Sequence, residues 1–230
     1  KSTGCCGGKG GSMHLTDPKK GFLGATPIVG STIPIAVGTS LKTKINNEKR
    51  LSVIFLGDGA IETGVFYESL NFAKLKELPI IFVCENNLYS VYSPMDVRQP
   101  VDRKIIDIAK GLGVNIFEGN GNDVNETSLI TKKSIELINN NKGPVFIELS
   151  TYRYREHCGP GYDNDLGYRS NQEYLLWKKQ DPIENMKKNI KNDLIDDFSN
   201  RIKDEIEFAF NFAKKSNPPN IKSAYTNVYK

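Results

Sequence analysis

LSVIFLGDGAIETGVFYESLNFAKLKELPIIFVCENN, residues 51–87, carries the fold. LSVIFL at 51–56 is apolar throughout and bounded by Gly57-Asp58-Gly59, so it reads as a buried strand ended by a turn. Thr63 to Glu77 then places Phe66, Leu70 and Ala73 on one helical face, with Phe72 and Leu75 flanking it. Pro79 closes that helix, and IIFVCE at 80–85 is a second buried strand, ended by Asn86-Asn87. A helix of about 14 residues travels roughly 21 Å. A strand of about six residues spans roughly 20 Å. The helix runs back across the sheet and the second strand runs forward, so Gly57-Asp58-Gly59 and Asn86-Asn87 arrive at one edge. That edge is the carboxyl end of neighbouring parallel strands, where open α/β sheets bind ligands.

The same rhythm extends outward. Ile33–Lys44 is a small-residue segment that reads as a closely packed helix, and Ile105–Leu112 as a short one. VNIFEG at 114–119 is a strand, a helix capped by Asp123 runs to about Asn140, and VFIELST at 145–151 is a strand after the Lys142-Gly143-Pro144 break. A polar loop occupies 152–170. The segment 171–216 is amphipathic helix, with Trp177 and later Phe198, Ile202, Ile206 and Phe210 as apolar stripes. The expected class is α/β: a parallel sheet with helices on both faces and a helical C-terminal tail. An α/β domain over 1–170 and its helical extension over 171–230 are expected.

Composition removes several function classes. Of 230 residues, 38% are apolar and 25% charged, as in ordinary globular proteins. The longest strongly apolar run, PIIFVC at 79–84, is far short of the ~18 residues a membrane span needs. A net charge of +4, from 31 basic and 27 acidic residues, is too balanced for a nucleic-acid binder. Cys5, Cys6, Cys84 and Cys158 form no CxxC, and scattered thiols suit a reducing cytoplasm better than a disulfide framework. Residues 1–12 lack the apolar stretch of a secretory signal, and no methionine precedes Met13, so a chain truncated at its start is expected. Twelve of the 20 glycines lie in the first 64 residues, marking backbone that turns tightly or approaches a ligand.

At the shared strand edge, Asp58 offers a carboxylate oxygen and Asn87 an amide oxygen, while Gly57 and Gly59 let the backbone approach a bulky anion. Hard oxygen donors in small number suit Mg²⁺, which completes its octahedron with water and phosphate oxygens. The ion also reverses the repulsion between Asp58 and a diphosphate. Gly-Asp-Gly alone is usually a turn, and Asn-Asn alone usually a loop. Their joint position is sharper: both follow buried strands, 29 positions apart from Asp58 to Asn87, with one helix between. Lys9 in the glycine loop is followed by Gly10, which fails the phosphate-loop pattern, and GLG at 111–113 and GNG at 119–121 lack the third glycine of a dinucleotide fingerprint.

GDG followed at this distance by NN resembles the thiamine diphosphate motif. GGKGGSMHL at 7–15, PIVGSTIPIAVG at 27–38, ENNLYS at 85–90, GNGNDV at 119–124 and TYRY at 151–154 resemble, in order, the alpha subunit of thiamine-dependent 2-oxo acid dehydrogenases, the pyruvate, acetoin and branched-chain group. The similarity covers residues 7 to about 185. It implies that Asp58, Asn87 and the main-chain carbonyl of Tyr89 hold Mg²⁺, and that Gly57, Gly59 and Ala60 line the diphosphate. It implies that Ile28 and Val29 sit against the aminopyrimidine and Val91 beneath the bent cofactor. Arg153 and His157 would reach the diphosphate, His157 also facing the reacting carbon.

The resemblance also has departures. Pro27 stands where many relatives have glycine, removing one N–H donor. Arg155-Glu156-His157-Cys158 replaces a His-Gly-His-Ser-like run, so Cys158 occupies the position of a phosphoacceptor serine. Without the family, Arg153 reads as a surface ion pair and His157 as a solvated loop residue.

The resemblance implies a thiamine diphosphate- and Mg²⁺-dependent oxidative decarboxylation of a pyruvate-like 2-oxo acid. Acyl transfer would go to a lipoyl acceptor, in partnership with a beta subunit in a heterotetramer and with a lipoyl acyltransferase. The family places the carboxyl group that activates the cofactor on the beta chain, and no residue of 1–230 matches that role. Two other readings stay open: a thiamine-dependent carboligase joining a decarboxylated fragment to a sugar or keto acceptor, and a non-catalytic Mg-diphosphate-binding scaffold subunit.

Overall fold

The computed structural model describes residues 1–226. Two compact units divide the described residues: residues 29–186 form one, and residues 1–28 with 187–226 form the other.

The larger unit is built on a four-stranded parallel sheet. Helix α1 is Thr32–Ile45, strand β1 Ser52–Gly57, helix α2 Gly64–Leu75 and strand β2 Ile80–Asn86. A two-residue hairpin follows, β3 Tyr89–Ser90 against β4 Ser93–Pro94. Helix α3 is Ile105–Gly111, strand β5 Asn115–Asn120, helix α4 Val124–Asn139 and strand β6 Val145–Ser150. The sheet order is β1-β2-β6-β5, with every pair parallel. Helices α5 Asn171–Lys178 and α6 Pro182–Lys187 follow, and α7 Asn192–Lys215 lies in the other unit. The expected α/β class, with helices on both sheet faces and a helical tail, is what the chain adopts.

Apolar burial on two faces explains the layers. On one face Ile54, Leu56, Phe82, Cys84 and Phe146 meet Ile33 and Val37 of α1, Phe66, Leu70 and Ala73 of α2, and Ile105 and Ala109 of α3. On the other, Ile81, Val83, Val145, Ile147 and Leu149 meet Ile130 and Ile138 of α4. β2 and β6 lie centrally and are buried at each of their first five positions, as strands covered on both sides must be. β1 lies at the edge and alternates: Ile54 and Leu56 are buried, whereas Val53 and Phe55 are 46% and 63% exposed. Asp123 caps α4 as expected, its Oδ1 accepting from the main-chain N–H groups of Asn125 and Glu126 at 2.9 and 3.1 Å.

Register brings the chemistry to one line. Gly57 pairs with Glu85, Glu85 with Leu149, and Asn86 with Ser150, which in turn pairs with Asn120. Asp58 and Asn87 therefore follow directly on the carboxyl ends of adjacent strands. Among the described residues no helix is long and apolar enough to cross a membrane.

Candidate active site

Asp58 opens a short 3₁₀ turn, Asp58–Glu62, at the end of β1. It is 1% exposed, and its Oδ2 accepts from Nη2 of Arg98. The other end nitrogen of Arg98, Nη1, donates to Oε1 of Glu62, to which Gln99 Nε2 also donates at 3.1 Å. Arg98 Nε donates to the carbonyl of Ser93 at 3.0 Å. One guanidinium thus ties the Gly-Asp-Gly turn to the segment that leaves the β3–β4 hairpin.

Gly59 is required by close approach. A Cβ there would lie 2.4 Å from Ser90 Oγ and 2.8 Å from Ser90 Cβ, so the hairpin packs directly on the turn. No heavy atom lies within 4 Å of a Cβ built at Gly57, which leaves open space at that point of the rim. Ala60 is buried.

At the end of β2 the two asparagines do different work. Asn86 Nδ2 donates to Glu148 Oε1 on β6 at 2.7 Å, while Asn86 Oδ1 accepts from Leu88 N at 3.1 Å. Asn87 Oδ1 accepts from Tyr89 N at 3.0 Å, which aims the turn toward the hairpin. Leu88 and Val91 both take left-handed backbone, at φ 68° and 55°. Glu148 is buried, and desolvation, together with the charges of Glu118 and Asp58, raises its carboxyl pKa above the usual value despite the Asn86 hydrogen bond.

The loop 152–170 reaches the same rim. Arg153 Nη2 donates to the carbonyl of Val91 at 3.0 Å and to Tyr168 Oη at 2.9 Å, and Nη1 to the carbonyl of Arg155 at 2.7 Å. Arg153 also pairs with Asp163 at 3.3 Å. Asp163 is fully buried; its Oδ1 accepts from Arg169, and its Oδ2 accepts from Tyr168. Burial opposes its ionisation, but the bonds from Tyr168 and Arg169 and the charges of Arg169 and Arg153 outweigh it and hold its pKa below the usual range. Tyr89 Oη donates to Glu173 of α5 at 2.7 Å, and Tyr152 stacks on Trp177 with ring centres 5.6 Å apart.

The structure therefore brings Asp58, Gly59 and Ala60 of the first motif against the hairpin containing Tyr89 and Val91, and joins Val91 to Arg153. His157 is exposed. Val29 opens the α/β unit and is 64% exposed; Ile28, 65% exposed, belongs to the other compact unit. Glu62 follows the Gly-Asp-Gly motif directly and lies beside it by sequence alone, whereas Arg98, Asp163 and Arg169 carry no sequence signal that places them at this rim. Arg98 sits in SPMDVRQ with no recognisable spacing to Asp58, and Asp163 and Arg169 fall in a loop without periodicity.

A hard divalent ion fits the donors present. Among the described residues no three His, Cys, Asp or Glu side chains gather into a metal-binding cluster, so an ion at this edge would rest on one carboxylate, one amide and a main-chain carbonyl. That small, all-oxygen set leaves room for water and phosphate oxygens, as Mg²⁺ requires.

Comparison with known proteins agrees with this architecture. Residues 1–222 match the family described as dehydrogenase E1 component. The alpha subunit of the pyruvate dehydrogenase E1 component of Rickettsia bellii is 34% identical over all of this chain and 71% of its own length. That of Porphyra purpurea is 35% identical over 96% of this chain and 67% of its own length. The alpha subunit of the acetoin:2,6-dichlorophenolindophenol oxidoreductase of Bacillus subtilis is 35% identical over all of this chain and 69% of its own length. The chain belongs to the dehydrogenase E1 component family, a family that uses thiamine diphosphate.

Proposed function

We propose that this chain binds thiamine diphosphate with Mg²⁺ and, with a beta subunit, performs the oxidative decarboxylation of a pyruvate-like 2-oxo acid, passing the acyl group to a lipoyl acceptor. The observation that carries the reading is the position of Asp58 and Asn87 just past the carboxyl ends of adjacent parallel strands, beside a glycine turn open at Gly57. Asp58, Asn87 and the carbonyl of Tyr89 hold the ion, and Gly57, Gly59 and Ala60 line the diphosphate. Val29 would face the pyrimidine end. Val91 would lie beneath the cofactor, on a backbone whose carbonyl accepts from Arg153. Arg153 adds positive charge at the diphosphate, and His157 faces the reacting carbon. When bound, the cofactor supplies the electron sink for loss of CO₂.

Calorimetric titration with thiamine diphosphate tests the site. Binding that needs Mg²⁺ and is weakened well beyond ~100-fold in Asp58→Ala is expected, since a ligand should cost more than a group that merely orients one. Equal binding by Asp58→Ala, with and without chelator, would overturn the assignment.

A further inference from the structure

Asp58 already has a cation. The side chain of Arg98 is 10% exposed and that of Asp58 1%, so their pairing is almost closed to water. A carboxylate so buried cannot stand uncompensated, and the Arg98 guanidinium is the charge that balances it. A divalent ion on Asp58 seeks the same carboxylate, and two cations crowded on it repel each other. Arg98 has somewhere to remain: Nη1 is on Glu62, whose side chain is 30% exposed and also holds Gln99, and Nε is on the Ser93 carbonyl.

We propose that Arg98 is the internal counter-ion of Asp58, exchanged for the divalent metal on binding, and that Glu62 is the carboxylate that keeps Arg98 when it lets go. This rests on the reading of Asp58 as a metal ligand. It makes Arg98 and Glu62 positioning residues of opposite sign: Arg98 opposes metal uptake, and Glu62 favours it by drawing Arg98 aside. A purely structural strap would behave otherwise, because loosening the turn by either change would weaken uptake.

The probe is Mn²⁺ alone, followed by water-proton relaxation on the purified chain without cofactor. Asp58→Asn should abolish the saturable uptake seen in the native chain. Arg98→Gln should tighten it by roughly tenfold, Glu62→Gln should weaken it several-fold by the same reasoning, and Arg98→Lys should stay close to native. Asp58-dependent uptake in the native chain that is unchanged or weaker in Arg98→Gln overturns this inference while leaving the metal reading intact. No Asp58-dependent uptake in either the native chain or Arg98→Gln removes the metal reading and this inference together. Should Arg98→Gln fail to fold, Arg98→Met, which keeps the length and packing of the stem without its charge, decides: tighter uptake supports the exchange, and unchanged or weaker uptake overturns it.

Discussion

Two buried carboxylates near the rim respond to acid in opposite directions. Asp163 and the side chain of Arg169 are both fully buried and paired, so Asp163→Asn leaves a guanidinium with no counter-charge inside the protein. Breaking a buried pair from one side costs about 3–5 kcal/mol, and urea unfolding should read a loss of that order. Because the folded pKa of Asp163 lies below its ordinary value of 3.8, its contribution is complete above that value and is lost as pH falls through the lower folded one. Glu148 has the reverse sign. Its pKa lies above the ordinary 4.5, so the folded chain holds this proton more tightly than the unfolded chain does. Stability from this group falls as pH rises from 4.5 through the folded value. Glu148→Gln keeps an acceptor for Asn86 and should be neutral or stabilising at pH 7, with that slope removed. A variant clearly less stable than native at neutral pH would show that the charge itself is needed.

At the scale of elements, the β3–β4 hairpin and the Gly-Asp-Gly turn are one packed piece. Gly59→Ala drives a methyl group into Ser90, at 2.4 Å from Oγ, and overpacking of this kind costs about 1–3 kcal/mol. Adding Ser90→Gly should recover most of that loss, and a double-mutant cycle by thermal unfolding measures the coupling. Additive effects would mean that the two segments do not press on one another. This contact also marks where sequence reading stopped. Strands β1, β2, β5 and β6 and helices α1 to α4 were legible to within a few residues, because apolar runs, Pro79 and the Asp123 cap leave local signatures. LYSVYSP has no such period, so a two-residue hairpin could not be read from it. Arg98 reaches Asp58 across forty positions through a side chain, and no spacing rule encodes that. From the residues alone Arg153 reads as a surface ion pair and only the resemblance put it at the diphosphate; its tie to the Val91 carbonyl depends on a left-handed turn that nothing in the residue types demanded.

For the whole molecule, apolar surface points to assembly. In the α/β unit Val53 and Phe55 leave one face of the edge strand open, and Ile35 of α1 is 60% exposed. In the other unit α7 carries Phe198, Ile202, Ile206 and Phe210 along its length, all exposed. Exposed apolar area of this kind marks interaction surfaces. The expected partner is a beta chain supplying the carboxyl group that this sequence does not offer. Purified alone, the chain should release no CO₂ from pyruvate or longer 2-oxo acids, and release should appear when the partner is added. Full decarboxylation by the isolated chain would point to a self-sufficient enzyme. The parallel register carries a different kind of consequence, for lineages that gain and lose codons. A residue inserted in the connection between α2 and β2 leaves both strand ends where they are. A residue deleted inside Ile80–Asn86 draws Asn87 back by about 3.3 Å and turns each later side chain to the opposite face. Length drift is therefore tolerable in the crossover and ruinous in the strand, so the fixed quantity is the phase of the sheet and not the count of residues between the two motifs.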